Sequence, residues 1–131
     1  MKLLNDFFQI NSKTVEEKTT NVEISLNPDH FIFKAHFPDL PITPGVCIIQ
    51  MALEIMSEIT KQNLVLDSIK NVKFLSILQP DNKPVIFKFT KLEKLEETNA
   101  FKAIVNVEKE NETIAKLSFT AKQEKINSLN S

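Results

Sequence analysis

Pro44-Gly45-Val46-Cys47-Ile48-Ile49-Gln50-Met51-Ala52-Leu53-Glu54-Ile55-Met56-Ser57-Glu58-Ile59-Thr60-Lys61-Gln62 is the stretch that decides the fold. Pro44 suits a helix start, because the N–H it lacks would be unpaired there anyway. From Gly45 the residues are apolar almost all round: Val46, Ile48, Ile49, Met51, Ala52, Leu53, Ile55, Met56 and Ile59. The polar residues Gln50, Glu54, Ser57, Glu58 and Lys61 recur at three- and four-residue spacing and form one narrow stripe. The spacing predicts a helix over residues 45–62 that must be covered on most of its sides.

The remainder of the chain supplies the cover. Residues 20–26 alternate as a strand, with Val22, Ile24 and Leu26 on one face. After Asn63 come strand patterns over 64–78, broken near Asn71, then 84–95, 100–108 and 113–122. Turn signals separate them at Pro80-Asp81-Asn82, at 96–99 and at 110–112. These segments read as an antiparallel meander following one central helix, an α+β arrangement. Residues 1–9 suggest a short amphipathic helix with Leu3, Leu4, Phe7 and Phe8 on one side, and the run Phe31-Ile32-Phe33 suggests a strand that takes in His30. A loop with Pro38, Pro41 and Pro44 follows that run. A single domain is expected over residues 1–122, with a polar tail over 123–131.

Composition narrows the function. The chain has 131 residues, 42% hydrophobic and 25% charged, in the ordinary range for a globular domain. No apolar run is long enough for a membrane span, and the N-terminus lacks the apolar core of a signal peptide, so a cytoplasmic location is expected. Cys47 is the only cysteine, which leaves no disulfide framework and no thiol cluster for a metal; no cofactor is expected either. Net charge is −1 and every cationic side chain is a lysine, a poor match to nucleic-acid binding. Lysine attracts a phosphate or an acidic carrier only as a point charge, without the fork of arginine. Ten Phe are the only aromatic residues, apolar bulk that suits a core or a pocket for acyl chains.

The chemistry is concentrated in His36-Phe37-Pro38-Asp39-Leu40-Pro41-Ile42-Thr43-Pro44-Gly45-Val46. Gly45 is the only glycine of the chain, and it stands at a helix N-terminus, where a missing side chain lets another group approach the backbone N–H. This motif is similar to the signature of the 3-hydroxyacyl-(acyl-carrier-protein) dehydratases of fatty-acid synthesis. The likeness extends from Leu3-Leu4 through Ile69-Lys70-Asn71-Val72-Lys73-Phe74 and the Pro80-Asp81 turn to the last strand, nearly the whole chain. It implies the hotdog fold, in which a curved antiparallel sheet wraps one long helix. It also implies an acyl-carrier-protein or coenzyme A thioester as substrate, and a homodimer with sites shared between subunits.

Removing water from such a thioester needs a base for the C2 proton, a donor for the enolate oxygen and an acid for the departing hydroxyl. His36 matches the family's base, and its ordinary pKa lets it accept a proton near neutral pH. Gly45 matches the oxyanion donor, helped by the helix dipole. Phe37, Pro44 and Val46 flank these groups and are expected to contact the substrate. Five residues after the glycine the family carries an acid, whereas this chain has Gln50; an amide binds a hydroxyl but has no acidic proton to deliver. Glu54, one turn on, is the substitute acid to consider, as though the two residues had been exchanged. Cys47 is expected to be a small buried apolar group. Ala35 stands where the family often has glycine, and Leu75-Ser76-Ile77 where it often has arginines. The same helix end also suits a hotdog thioesterase, with Gln50 or Glu54 orienting water, or a non-catalytic subunit that binds acyl chains.

Overall fold

Alternating burial along four strands shows which face of the sheet meets the helix. The computed structural model describes residues 2–35 and 39–124. In order along the chain they form β1 (Phe8–Glu16), β2 (Thr19–Leu26), α1 (Phe31–Ala35), α2 (Gly45–Thr60), β3 (Leu64–Phe74), β4 (Val85–Lys94), β5 (Phe101–Lys109) and β6 (Glu112–Gln123). The strands make one antiparallel sheet in the order β1-β2-β4-β5-β6-β3. Val22 and Ile24, then Val85, Phe87 and Phe89, then Ala103, Val105 and Val107, and finally Ala115, Leu117 and Phe119 are buried. They share one core with Met51, Ala52, Ile55 and Met56 of α2, the apolar surface that the helix pattern requires to be covered. One helix packed on one antiparallel sheet is the hotdog fold.

Several boundaries and elements differ from the sequence-based expectations. α2 ends at Thr60, where Lys61 takes a left-handed conformation (φ 58°, ψ 35°) and its N–H bonds to the Ser57 carbonyl. Only β4, β5 and β6 form a meander. The chain passes from β2 through α2 to the opposite edge, so β3 pairs with β6 and β1-β2 extend the sheet beside β4. The break expected near Asn71 is a register shift between Ile69 and Asn71, with another between Leu66 and Ser68, and the strand stops at Phe74. In place of the expected helix, residues 3–8 give a single turn in which the Leu3 carbonyl accepts from the N–H groups of Asp6, Phe7 and Phe8, before Phe8 enters β1. The Phe31-Ile32-Phe33 run is helical, not extended; a short apolar run has no period to separate the two. Without glycine, left-handed turn positions fall to Asn5, Asn82, Asn99 and Asn111, but also to Glu17, Lys61 and Glu110, which tolerate them less well than Asn.

The two sheet edges differ. β1 carries Asn11, Ser12, Lys13, Thr14 and Glu16 and a register shift after Ile10, a polar and irregular edge that discourages further pairing. β3 and the segment after it expose Leu66, Ile69, Phe74, Leu75 and Ile77, and Val46 at the start of α2 is two-thirds exposed.

Candidate active site

The start of α2 leaves donors unused. Pro44 is extended (φ −60°, ψ 145°) and offers no side-chain cap, while its carbonyl accepts from Cys47 and Ile48 at 3.0 and 3.2 Å. The first N–H groups of any helix have no partner within it. Among the described residues, those of Gly45 and Val46 find none outside it either. The positive end of the helix dipole lies there. The Thr43 N–H donates to the Leu78 carbonyl at 2.8 Å, tying the loop before the helix to the segment after β3. Between them lies a cavity of about 260 Å³ whose walls include Thr43, Gly45, Ile48, Phe74 and Ile77.

Gly45 is required there for a reason of packing. A Cβ at this position would lie 2.6 Å from Cζ and 2.8 Å from Cε2 of Phe74, so the half-exposed Phe74 ring rests on the glycine backbone. The sequence suggests only that a ligand could approach Gly45; a neighbouring ring already does.

Gln50 and Glu54 meet. One turn apart on α2, they join through Gln50 Nε2 donating to Glu54 Oε2 at 2.8 Å. The Glu54 carboxylate also accepts the Leu3 N–H on both oxygens (3.0 and 2.9 Å) and the Leu4 N–H on Oε1 at 2.7 Å. It thus clasps the N-terminal segment to α2, a contact across 51 positions that no local pattern announces. Both side chains line a groove of about 450 Å³ along α2, walled by Leu4, Val46, Ile49, Leu53 and Leu66. The lining is mixed, with Lys2, Ser57, Glu58, Asn63 and Glu124 beside the pair, so the groove offers both apolar contact and polar groups that fix orientation. Of the other residues expected at the site, Pro44 and Val46 stand at the entry to α2, whereas His36 and Phe37 lie outside the described residues.

His30 has a role that sequence alone did not disclose. Expected on a strand, it instead caps α1: its Nδ1 accepts the Ile32 N–H at 3.1 Å, and its Nε2 meets Asp6 Oδ2 at 3.0 Å. With Nδ1 as acceptor, the ring proton is assigned to Nε2, which donates to Asp6. The buried ring packs edge-on against Phe7 (5.2 Å) and stacks on Phe31 (4.7 Å). It therefore anchors the short helix that leads into the motif. Cys47 is buried, and that burial pushes its thiol above the ordinary range, as expected of an inert core cysteine. Among the described residues, no three His, Cys, Asp or Glu side chains are grouped to hold a metal, and no helix is long and apolar enough to cross a membrane.

Comparison with known proteins agrees with this fold. Residues 12–118 match the ApeI-like family, described as ApeI dehydratase. Among solved structures, the dehydratase heterocomplex ApeI:P from Xenorhabdus doucetiae superposes with a TM-score of 0.65 at 19% identity, covering 87% of this chain and 96% of that one. A bifunctional dehydratase-cyclase domain of ambruticin biosynthesis gives 0.54 at 15% identity, covering 91% and 42%. A thioesterase from Pseudomonas aeruginosa gives 0.54 at 13% identity, covering 89% and 82%. At these identities the structural likeness speaks for the fold. No individually curated protein matches.

Proposed function

The chain belongs to the ApeI-like dehydratase family, and on that premise we propose that it dehydrates 3-hydroxyacyl thioesters, carried by acyl carrier protein or coenzyme A, in fatty-acid or related acyl-chain biosynthesis. The observation that carries this is the presence of unused N–H groups at the start of α2 and of a polar pair, Gln50 and Glu54, one to three turns along the same helix in a groove that Val46 also lines.

In the proposed reaction, the thioester oxygen accepts a hydrogen bond from Gly45 N–H, where both the donor and the helix end favour the charge that develops. His36 removes a proton from C2. The electron pair forms the C2–C3 double bond as the C3–O bond breaks, and the hydroxyl departs with a proton as water. Gln50 binds that hydroxyl but has no acidic proton to give. The proton gained by His36 is the one the leaving group needs, so one imidazole serves first as base and then as acid. Glu54, bonded to Gln50 and to the Leu3 and Leu4 amides, acts on the hydroxyl-handling side by holding Gln50 in place. Phe37, Pro44 and Val46 contact the acyl thioester near the helix start.

The protein is proposed to work as a homodimer. An apolar, exposed β3 edge opposite a polar β1 edge favours pairing through β3, since a free apolar edge otherwise invites aggregation. The Xenorhabdus structure is a heterocomplex, so a related but different chain is the competing partner. Native mass spectrometry of the purified protein separates them: a two-copy species that dissociates on Leu75→Lys supports the homodimer, and a monomer overturns it.

The activity is tested by incubating the purified protein with a 3-hydroxyacyl thioester on each carrier and weighing the products. An enoyl thioester lighter by one water, absent with His36→Ala, supports the proposal. Release of free carrier thiol identifies a thioesterase, and binding without turnover a non-catalytic acyl-binding subunit.

A further inference from the structure

Thr43 presents a buried hydroxyl with nothing to bond to. The residue is 4% exposed, and its Oγ1 has no hydrogen-bond partner among the described residues. Buried side-chain oxygens are nearly always paired, and one left unpaired in a folded protein calls for an explanation. Loose placement is not the explanation here, because the Thr43 N–H is held by the Leu78 carbonyl at 2.8 Å. That bond fixes the residue in the wall of the 260 Å³ cavity it shares with Gly45 and Phe74. Among the described residues, three donors are thus left unpaired within four consecutive positions: Thr43 O–H, Gly45 N–H and Val46 N–H.

We propose that the Thr43 hydroxyl is a second donor to the thioester oxygen, acting beside Gly45 N–H as negative charge develops there. This rests on the dehydratase function proposed above and adds a catalytic residue to it. A hydroxyl rotates freely about its C–O bond, so it can turn toward an acceptor that arrives in the cavity. Shielded from water, it interacts with a developing charge more strongly than an exposed donor does, and its position is set before the reaction begins. The half-exposed Phe74 ring forms one wall of the cavity, resting on Gly45 by its tip and not by its backbone. A donor reserved for the reacting oxygen needs no partner within the protein, which accounts for the unpaired hydroxyl.

Thr43→Val and Thr43→Ser test this, each read by thermal unfolding and by steady-state dehydration of a 3-hydroxyacyl thioester. Valine keeps the shape and removes the hydroxyl. Because the folded protein has no partner to lose, the melting temperature of Thr43→Val is expected to equal or exceed that of the wild type. Its kcat is expected to fall by roughly 10²-fold, as for loss of one oxyanion donor, with KM changed less than about threefold because the interaction forms in the transition state. Thr43→Ser is expected to recover most of kcat. A Thr43→Val protein that melts several degrees lower shows a hydroxyl already paired in the folded state and overturns the proposal. So does full kcat in that variant, or a serine variant as slow as the valine one, while dehydration by the wild type still stands. A wild type that produces no enoyl thioester overturns both this role and the dehydratase function.

Discussion

Replacing Gln50 by Glu sets a second carboxyl against that of Glu54, where an amide now donates across 2.8 Å. Two full charges about 3 Å apart at an effective dielectric of 20 repel by roughly 5 kcal/mol. The groove opens to water, so solvent and salt leave roughly 2 kcal/mol of that. The introduced carboxyl then holds its proton to a higher pH than an ordinary glutamate does, because a second negative charge beside Glu54 is disfavoured. A group whose pKa is raised by folding contributes stability below its unfolded value and loses it as pH rises through the folded one. Gln50→Glu is therefore expected to match the wild type near pH 4 and to be about 2 kcal/mol less stable by pH 8. For a chain of this length that is a fall of about 8 °C in melting temperature. The same proton gives the leaving hydroxyl an acid of its own and spares His36 the second transfer, so dehydration at pH 6 is expected to rise by about 10² and to fade toward pH 8. Melting curves and initial rates at matched pH values measure both. A stability difference flat from pH 4 to 8 refutes the contact with Glu54; the expected loss of stability with an unchanged rate refutes the idea that proton delivery to the hydroxyl by His36 limits the reaction.

Glu54→Ala is expected to lower stability by about 3 kcal/mol, because it strips charge-assisted bonds from the Leu3 and Leu4 amides and from Gln50; Glu54→Gln, with one acceptor oxygen left, should lose about half as much, both read by denaturant unfolding. Cys47 is expected to resist a thiol reagent at pH 8 until the protein unfolds. Since burial raises its thiol, the stability it lends is present below the ordinary thiol range and lost above it, and Cys47→Ala should flatten that alkaline decline. Gly45→Ala should destabilise by about 1–2 kcal/mol in the wild type, because its Cβ meets Phe74. In a Phe74→Ala background the same change should be neutral or stabilising by about 0.5 kcal/mol, as alanine favours the helix; equal effects in both backgrounds deny the contact.

The parts of the fold legible in the sequence are those with a strong period. α2 announces itself by a stripe of five polar residues in an apolar helix, and β2, β4, β5 and β6 by alternation that the sheet converts into buried and exposed faces. β1 has no such alternation because it lies at an edge, with most of its residues exposed on both faces. α1 is too short to show a period, and its cap is a histidine whose partner Asp6 is 24 positions away. Strand order was hidden for the same reason: short turns join β1 to β2 and β4 through β6, but β2 meets β4, and β3 meets β6, across long stretches of chain. At the site, the spacing of Gln50 and Glu54 anticipated their meeting. The clasp to Leu3 and Leu4, the Phe74 ring on Gly45 and the unpaired Thr43 hydroxyl depend on contacts between distant segments.

Incubation with a 3-hydroxyacyl thioester in heavy water tests most directly whether this protein takes the proton from C2. Reversible removal of that proton by His36 exchanges it with solvent, so the account predicts enoyl product together with deuterium at C2 of the remaining substrate. It also predicts that His36→Ala gives neither. Carrier thiol released from substrate that carries no deuterium would contradict it, because the attack would then fall on the carbonyl carbon with C2 left untouched.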